Sequence, residues 1–175
     1  MSAKQDAPKV TSLRDLYAIA YQIEADAVAR YEMLAAQMET HNNAELAYVF
    51  RDLARAEGIH AAEIERQAGG REIKEHALAV AKWQRTESPE SADLADAHYL
   101  MTRADALRMA LASEERALAF FRNLVQTATD PEMKKLAAHF AEEEAEHVEL
   151  CHRLIRKYED ADGPASDPDP AISQG

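Results

Sequence analysis

Apolar and small residues return at steps of three and four in four stretches of this chain, each time on a single line. In the first stretch the line is Tyr17, Ala20, Glu24, Ala27, Tyr31, Leu34 and Met38. In the second it is Leu46, Phe50, Leu53, Glu57, His60 and Ile64. The third carries Leu100, Leu107, Ala110, Glu114, Ala117, Phe121 and Leu124, and the fourth Met133, Leu136, Phe140, Glu144, His147, Cys151 and Leu154. A stripe with the 3.6-residue period is the inward face of an amphipathic helix. The pattern therefore predicts four helices packed as a bundle.

The punctuation between the stripes sets how the helices connect. Thr11 or Ser12 can cap the first helix, with Asp15 placed to complete a capping box from Ser12. That helix should end near Thr40, and His41-Asn42-Asn43 forms a short turn in which Asn42 or Asn43 caps the second helix. Gly69-Gly70 stops the second helix. So short a turn makes the first two helices antiparallel neighbours. Residues 71–95 break the pattern, with a turn or two of amphipathic character (Ile73, Leu78, Val80, Trp83) and then Pro89 among polar residues. They predict one long crossover, which lets the third helix start from the same end as the second. Asp130-Pro131-Glu132 opens the fourth helix with a cap, a proline at the first position and an acid in the first turn. The expected architecture is an all-α four-helix bundle made of two pseudo-symmetric helix pairs. Its one domain covers residues 11–160, between an N-terminal tail at 1–10 and a disordered, Asp-, Gly- and Pro-rich tail at 161–175.

Composition agrees with helices and narrows the function. Of 175 residues only 5 are Gly and 6 are Pro, and the chain is long enough for a real core. The net charge of −12, with no separate basic cluster, argues against a nucleic-acid partner. Cys151 is the single cysteine. No disulfide can form within the chain, and a reducing, cytoplasmic location fits best. No CxxC pair occurs, which excludes a rubredoxin-type or zinc-ribbon module in this chain. Met1 to Val10 lacks the apolar core of a secretion signal, and no run of about 18 apolar residues is present to span a membrane.

Charged residues sit at the centre of all four stripes, where they are rare. Glu24 and Glu114 are each followed, one helix later, by a Glu and a His three residues apart: Glu57 with His60, Glu144 with His147. Residues three apart share a helix face. One Glu from each of two helices, and a Glu-x-x-His from each of the other two, is the donor set that holds two metal ions inside a bundle. Four carboxylates balance two divalent ions, and with two imidazoles they suit iron, or manganese, better than thiolates would. Unfilled, four buried acids would repel one another and lose their hydration. Buried salt bridges are the competing use of such residues.

The remaining candidates sort by position. A third Glu-x-x-His, Glu149 with His152, lies about 140° round the helix from Glu144 and should face away. Tyr31 and Phe121 match, seven residues after each first Glu. Only Tyr31 has a hydroxyl to reach a ligand carboxylate or an oxygen species, which makes it the candidate catalytic residue. Ala27 and Ala117 leave room beside the ions. Glu143 can be weighed as an acceptor that orients His60, against a solvated surface acid. His41, His76, His98 and His139 are off pattern, and Cys151 reads as a buried inert thiol.

With Glu24-x2-Ala27-x3-Tyr31, Glu57-x2-His60, Glu114-x2-Ala117-x3-Phe121 and Glu144-x2-His147, the chain resembles the rubrerythrin branch of the ferritin-like superfamily, from about residue 12 to 158. The resemblance implies a ferritin-like fold with one long crossover and a di-iron site. It implies an oxidoreductase that reduces H2O2 or O2, two ferrous ions supplying one electron each. Two departures stand out. Rubrerythrins carry a C-terminal rubredoxin-like domain that feeds electrons in, so here an external donor, a small iron-sulfur or rubredoxin-type protein, would take its place. They also have a further Glu three residues after the third-helix ligand, where this chain has Ala117. That makes the site resemble the six-ligand centres of ferritin-like ferroxidases, and a ferroxidase or iron-handling protein is the alternative activity. An oxygenase acting on an organic or RNA substrate is a more distant one, and acidic charge counts against RNA. A homodimer is the default assembly.

Overall fold

The computed structural model describes residues 10–69, 72–75, 77 and 101–161. Four long helices account for most of them: α1 (Leu13–Thr40), α2 (Ala44–Ala68), α3 (Arg103–Thr127) and α4 (Pro131–Ala161). The starts and stops follow local chemistry. Ser12 caps α1, its hydroxyl accepting the Asp15 backbone N–H at 3.1 Å. The Asp15 carboxylate accepts from the Thr11 backbone N–H and hydroxyl. Asn42 takes a left-handed φ of 57° as α1 ends, and Asn43 caps α2 by accepting the Leu46 N–H. Gly69 closes α2 at φ 98°, a conformation that costs a glycine little. A full capping box opens α3, with Thr102 and Asp105 bonded reciprocally.

The closest backbone packing is within two hairpins, α1 with α2 and α3 with α4. Two apolar clusters fill the space between them. One joins Met38 at the end of α1, Leu46 and Phe50 at the start of α2, Ala106 and Leu107 at the start of α3, and Tyr158 near the end of α4. The other joins Leu16 and Ala20, Ile64, Phe121 and Leu124, and Met133 and Phe140, which are the opposite ends of the same four helices. Hence α2 and α3 run one way and α1 and α4 the other. Residues 69 and 101 therefore lie at opposite ends of the bundle, as in the ferritin-like four-helix bundle with one long connection.

Most of the crossover expected at 71–95 lies outside the described residues, with Leu78, Val80, Trp83 and Pro89. So do Gly70, His76, His98, Leu100 and most of both tails. The described part at 72–75 is helical, and Ile73 and Ala77 are buried. Ion pairs tie it to both neighbouring helices, Glu72 to Arg14 at 3.4 Å and Lys74 to Glu65 at 3.0 Å. Among the described residues no helix is long and apolar enough to cross a membrane.

Candidate metal centre

Between the two apolar clusters the four stripes carry acids instead of hydrocarbon. Glu24, Glu57, Glu114 and Glu144 are each 3% exposed or less. One comes from each helix, and each sits in register with the others because its stripe is continuous above and below it. His60 and His147 complete the layer from α2 and α4. Their rings stack almost parallel, 5.4 Å between centroids. All six predicted ligands are therefore brought together.

The distances describe two overlapping groups. Nδ1 of His147 lies 3.4 Å from Glu57 Oε1, 3.7 Å from Glu114 Oε2 and 3.6 Å from Glu144 Oε2. Nδ1 of His60 lies 3.5 Å from Glu57 Oε2. Glu57, His60 and His147 form one set of donors able to hold a cation, and Glu114, Glu144 and His147 the other. Two donors about 2.1 Å from one ion sit at most about 4.2 Å apart, and these separations fall inside that limit. Glu24 lies beside Glu57.

Three of the donor atoms lack a hydrogen-bond partner. Glu57 Oε2, His60 Nδ1 and Glu144 Oε2 are buried without a hydrogen bond. Orphaned buried acceptors are costly and uncommon. Three of them converging on one layer are what a pair of cations would satisfy, so the residues present fit a dinuclear metal centre.

Electrostatics shows the cost of leaving the layer to protons alone. Burial, with Glu57 alongside, pushes Glu24 up to about 11. Burial raises Glu144 to about 7, although His147 pulls the other way. Glu114 differs. Burial works to raise it, but hydrogen bonds from His147 and Tyr31 outweigh burial and hold it below the usual carboxylate range. Burial opposes charge on His147, yet Glu114, Glu144 and Glu57 raise it to about 11. His60 is raised chiefly by Glu57.

Tyr31 reaches across from α1 to α3 and donates its hydroxyl to Glu114 Oε1. Burial and the Glu114 charge push its own ionisation upward, so it keeps its proton. Phe121, its counterpart, packs against Phe140 and Phe120 in the apolar cluster. Sequence reasoning missed one neighbour: Cys151 Sγ lies 3.9 Å from the Tyr31 hydroxyl. The signal was available, since Cys151 follows His147 by one turn and Tyr31 follows Glu24 by two. Burial pushes the Cys151 thiol up to about 12, which keeps it protonated and unreactive.

The other candidates fall as their positions suggested. Glu149 is exposed and pairs with Arg156 at 3.2 Å. His41 and His139 are exposed. Glu143 is half-buried, not a fully solvated acid. It pairs with His139 on its own helix at 3.5 Å, and its charge adds to the raising of His60. Ala27 and Ala117 are buried small residues within a turn of the acids.

Residues 15–102 and 105–169 match the sequence model of the family described as Rubrerythrin. Among solved structures, the chain is similar to an uncharacterized conserved protein from Magnetospirillum magnetotacticum MS-1. The two are 38% identical over 83% of this chain and 95% of that one, with a TM-score of 0.67. No curated protein matches the chain.

Proposed function

The chain belongs to the rubrerythrin family, and from that premise we propose that it is a non-haem di-iron oxidoreductase reducing H2O2 or O2 at the Glu/His layer. The observation that carries the reading is the convergence of four carboxylates and two imidazoles with three buried donor atoms unpaired. Two bound iron ions would supply one electron each, turning one H2O2 and two protons into two waters, and an external donor protein would return the electrons. Manganese suits the same donors.

The chain's own residues divide the remaining work. Glu57, His60 and His147 would hold one ion and Glu114, Glu144 and His147 the other, with Glu24 supplying a carboxylate beside Glu57. Tyr31 fixes Glu114 by its hydrogen bond and keeps a proton at its hydroxyl beside the layer. The apolar clusters above and below exclude water from the carboxylates. The imidazoles are the open side: His60 is 29% exposed and His147 15%, against 2–3% for the acids they face. A small oxidant would therefore enter between α2 and α4.

One observation favours the second reading, a ferroxidase or iron-handling protein. Ala117, one turn beyond Glu114, is buried and offers no carboxylate, so this position gives an ion no further donor to move to. The two readings separate by turnover. The protein is loaded with Fe(II) without oxygen and mixed with H2O2 and excess reductant. Sustained peroxide consumption supports the oxidoreductase. A single oxidation of the bound iron, with no turnover, supports iron handling.

A further inference from the structure

The two halves of the bundle differ at two matching places beside the acid layer. Tyr31 and Phe121 each stand seven residues after the first acid of their half, and Ile64 and Cys151 each stand four residues after a histidine of the layer. One half therefore carries a hydroxyl and a thiol where the other carries two hydrocarbon side chains. Phe121 and Ile64 lie together in one apolar cluster. Tyr31 and Cys151 lie together in the other, with Cys151 Sγ 3.9 Å from the Tyr31 hydroxyl oxygen.

The direction of that contact follows from counting protons. The Tyr31 hydroxyl has one proton, and it goes to Glu114 Oε1. Its oxygen can still accept. The Cys151 thiol keeps its proton, since burial raises it, and so it is the donor. We infer that Cys151 is a positioning residue for the metal centre: its S–H donates to the Tyr31 oxygen, Tyr31 donates to Glu114 Oε1, and Glu114 Oε2 is left to face the ions. The chain of bonds crosses from α4 through α1 to α3. No member is more than 3% exposed, so water competes for none of its bonds. Oε2 already lies towards the layer, 3.7 Å from His147 Nδ1. A thiol donates weakly, but a donor on the hydroxyl oxygen strengthens the bond that the hydroxyl makes in turn. Stacking on Phe50, at 5.9 Å between centroids, holds the Tyr31 ring. Rotation of the hydroxyl is the freedom left for the thiol to restrict. The consequence for Glu114 rests on the reading of the layer as a metal centre, whereas the bond itself does not.

Infrared spectroscopy of metal-free, full-length protein tests the bond without any ion. Cys151 is the single cysteine, so the one S–H stretch belongs to it. Hydrogen bonding lowers that frequency, and Tyr31→Phe, which keeps the ring and removes the oxygen, should raise it. Anaerobic calorimetric titration with Fe(II) then tests the consequence. Cys151→Ala should weaken the first ion by about threefold. In a Tyr31→Phe background the same substitution should change nothing, because the thiol acts through the hydroxyl. Lost packing would instead act equally in both backgrounds. An S–H stretch unmoved by Tyr31→Phe would overturn the inference. So would a Cys151→Ala effect that persists without the hydroxyl, or first-ion affinity unchanged by Cys151→Ala. Failure to bind any ion would sink the metal reading and the positioning role with it, while the S–H stretch would still report the bond.

Discussion

Tyr31 and Phe121 hold the same place in the two halves of the bundle, and the halves diverge there. Tyr31 crosses to the other hairpin and bonds Glu114. Phe121 stays in the apolar cluster and gives nothing to Glu24. Hydrogen bonds from His147 and then Tyr31 hold the first acid of the second half ionised, while burial beside Glu57 pushes the first acid of the first half up to about 11. The two helix pairs share a ligand pattern and differ in what surrounds it. Matching ligands thus do not make the two ion positions equal, because what surrounds each carboxylate differs. The half that holds Glu114 should load first.

The largest expected effect comes from removing a carboxylate that belongs to one ion position. Glu57→Ala removes two donor oxygens and should lower affinity at its position by well over about 100-fold, beyond what losing an outer partner costs. Glu144→Ala should do the same in the other half. Iron counted per chain after anaerobic loading checks both. Retention of two ions by either variant would show that the carboxylate it removes is not a ligand.

How much of this could be read beforehand depended on periodicity. Glu24, Glu57, Glu114 and Glu144 were legible because each interrupts an apolar stripe at helical spacing, and the structure buries all four. The direction of the third helix followed from one short turn and one long connection. Contacts that depend on how far a side chain reaches were less legible. The Tyr31 hydroxyl had a carboxylate within its reach on the sequence pattern, but Cys151 beside it could not be read from either stripe alone. The capping box at Thr102 and Asp105 falls inside the stripe that starts at Leu100, where periodicity gives no sign of a helix start.

Acidity sharpens the comparison next. In metal-free protein Glu144 is raised from 4.5 to about 7, and Glu24 from 4.5 to about 11. A group whose folded value is raised stabilises fully below its unfolded value and loses that contribution as pH rises through the folded one. His147, raised from 6.5 to about 11, adds a loss at higher pH. Glu114 is lowered and acts oppositely, its contribution lost only as pH falls below 4.5. The melting temperature of metal-free protein should therefore fall between about pH 5 and 8. Bound ions replace the protons, so loaded protein should show a flatter profile. At about 1,000-fold excess over Kd each ion adds about 4 kcal/mol. Equal slopes with and without metal would break the account of the acid layer.

The smallest effect tests the asymmetry itself. Tyr31→Phe removes the donor to Glu114 while keeping the ring that stacks on Phe50. It should weaken the first-loading ion by about 10-fold and bring the two ion affinities together. Phe121→Tyr should leave both affinities unchanged, because that ring lies in the apolar cluster. Two-step titration curves for the pair of variants check this.

The central claim is that the buried acids exist to hold two ions. Anaerobic Fe(II) titration of metal-free, full-length protein, read by calorimetry and by iron per chain, tests it most directly. Two ions should bind per chain, in two resolved steps, with a rise in melting temperature at each. A chain that binds no iron, or one whose stability is indifferent to metal, would contradict it and leave the four carboxylates as buried ion pairs.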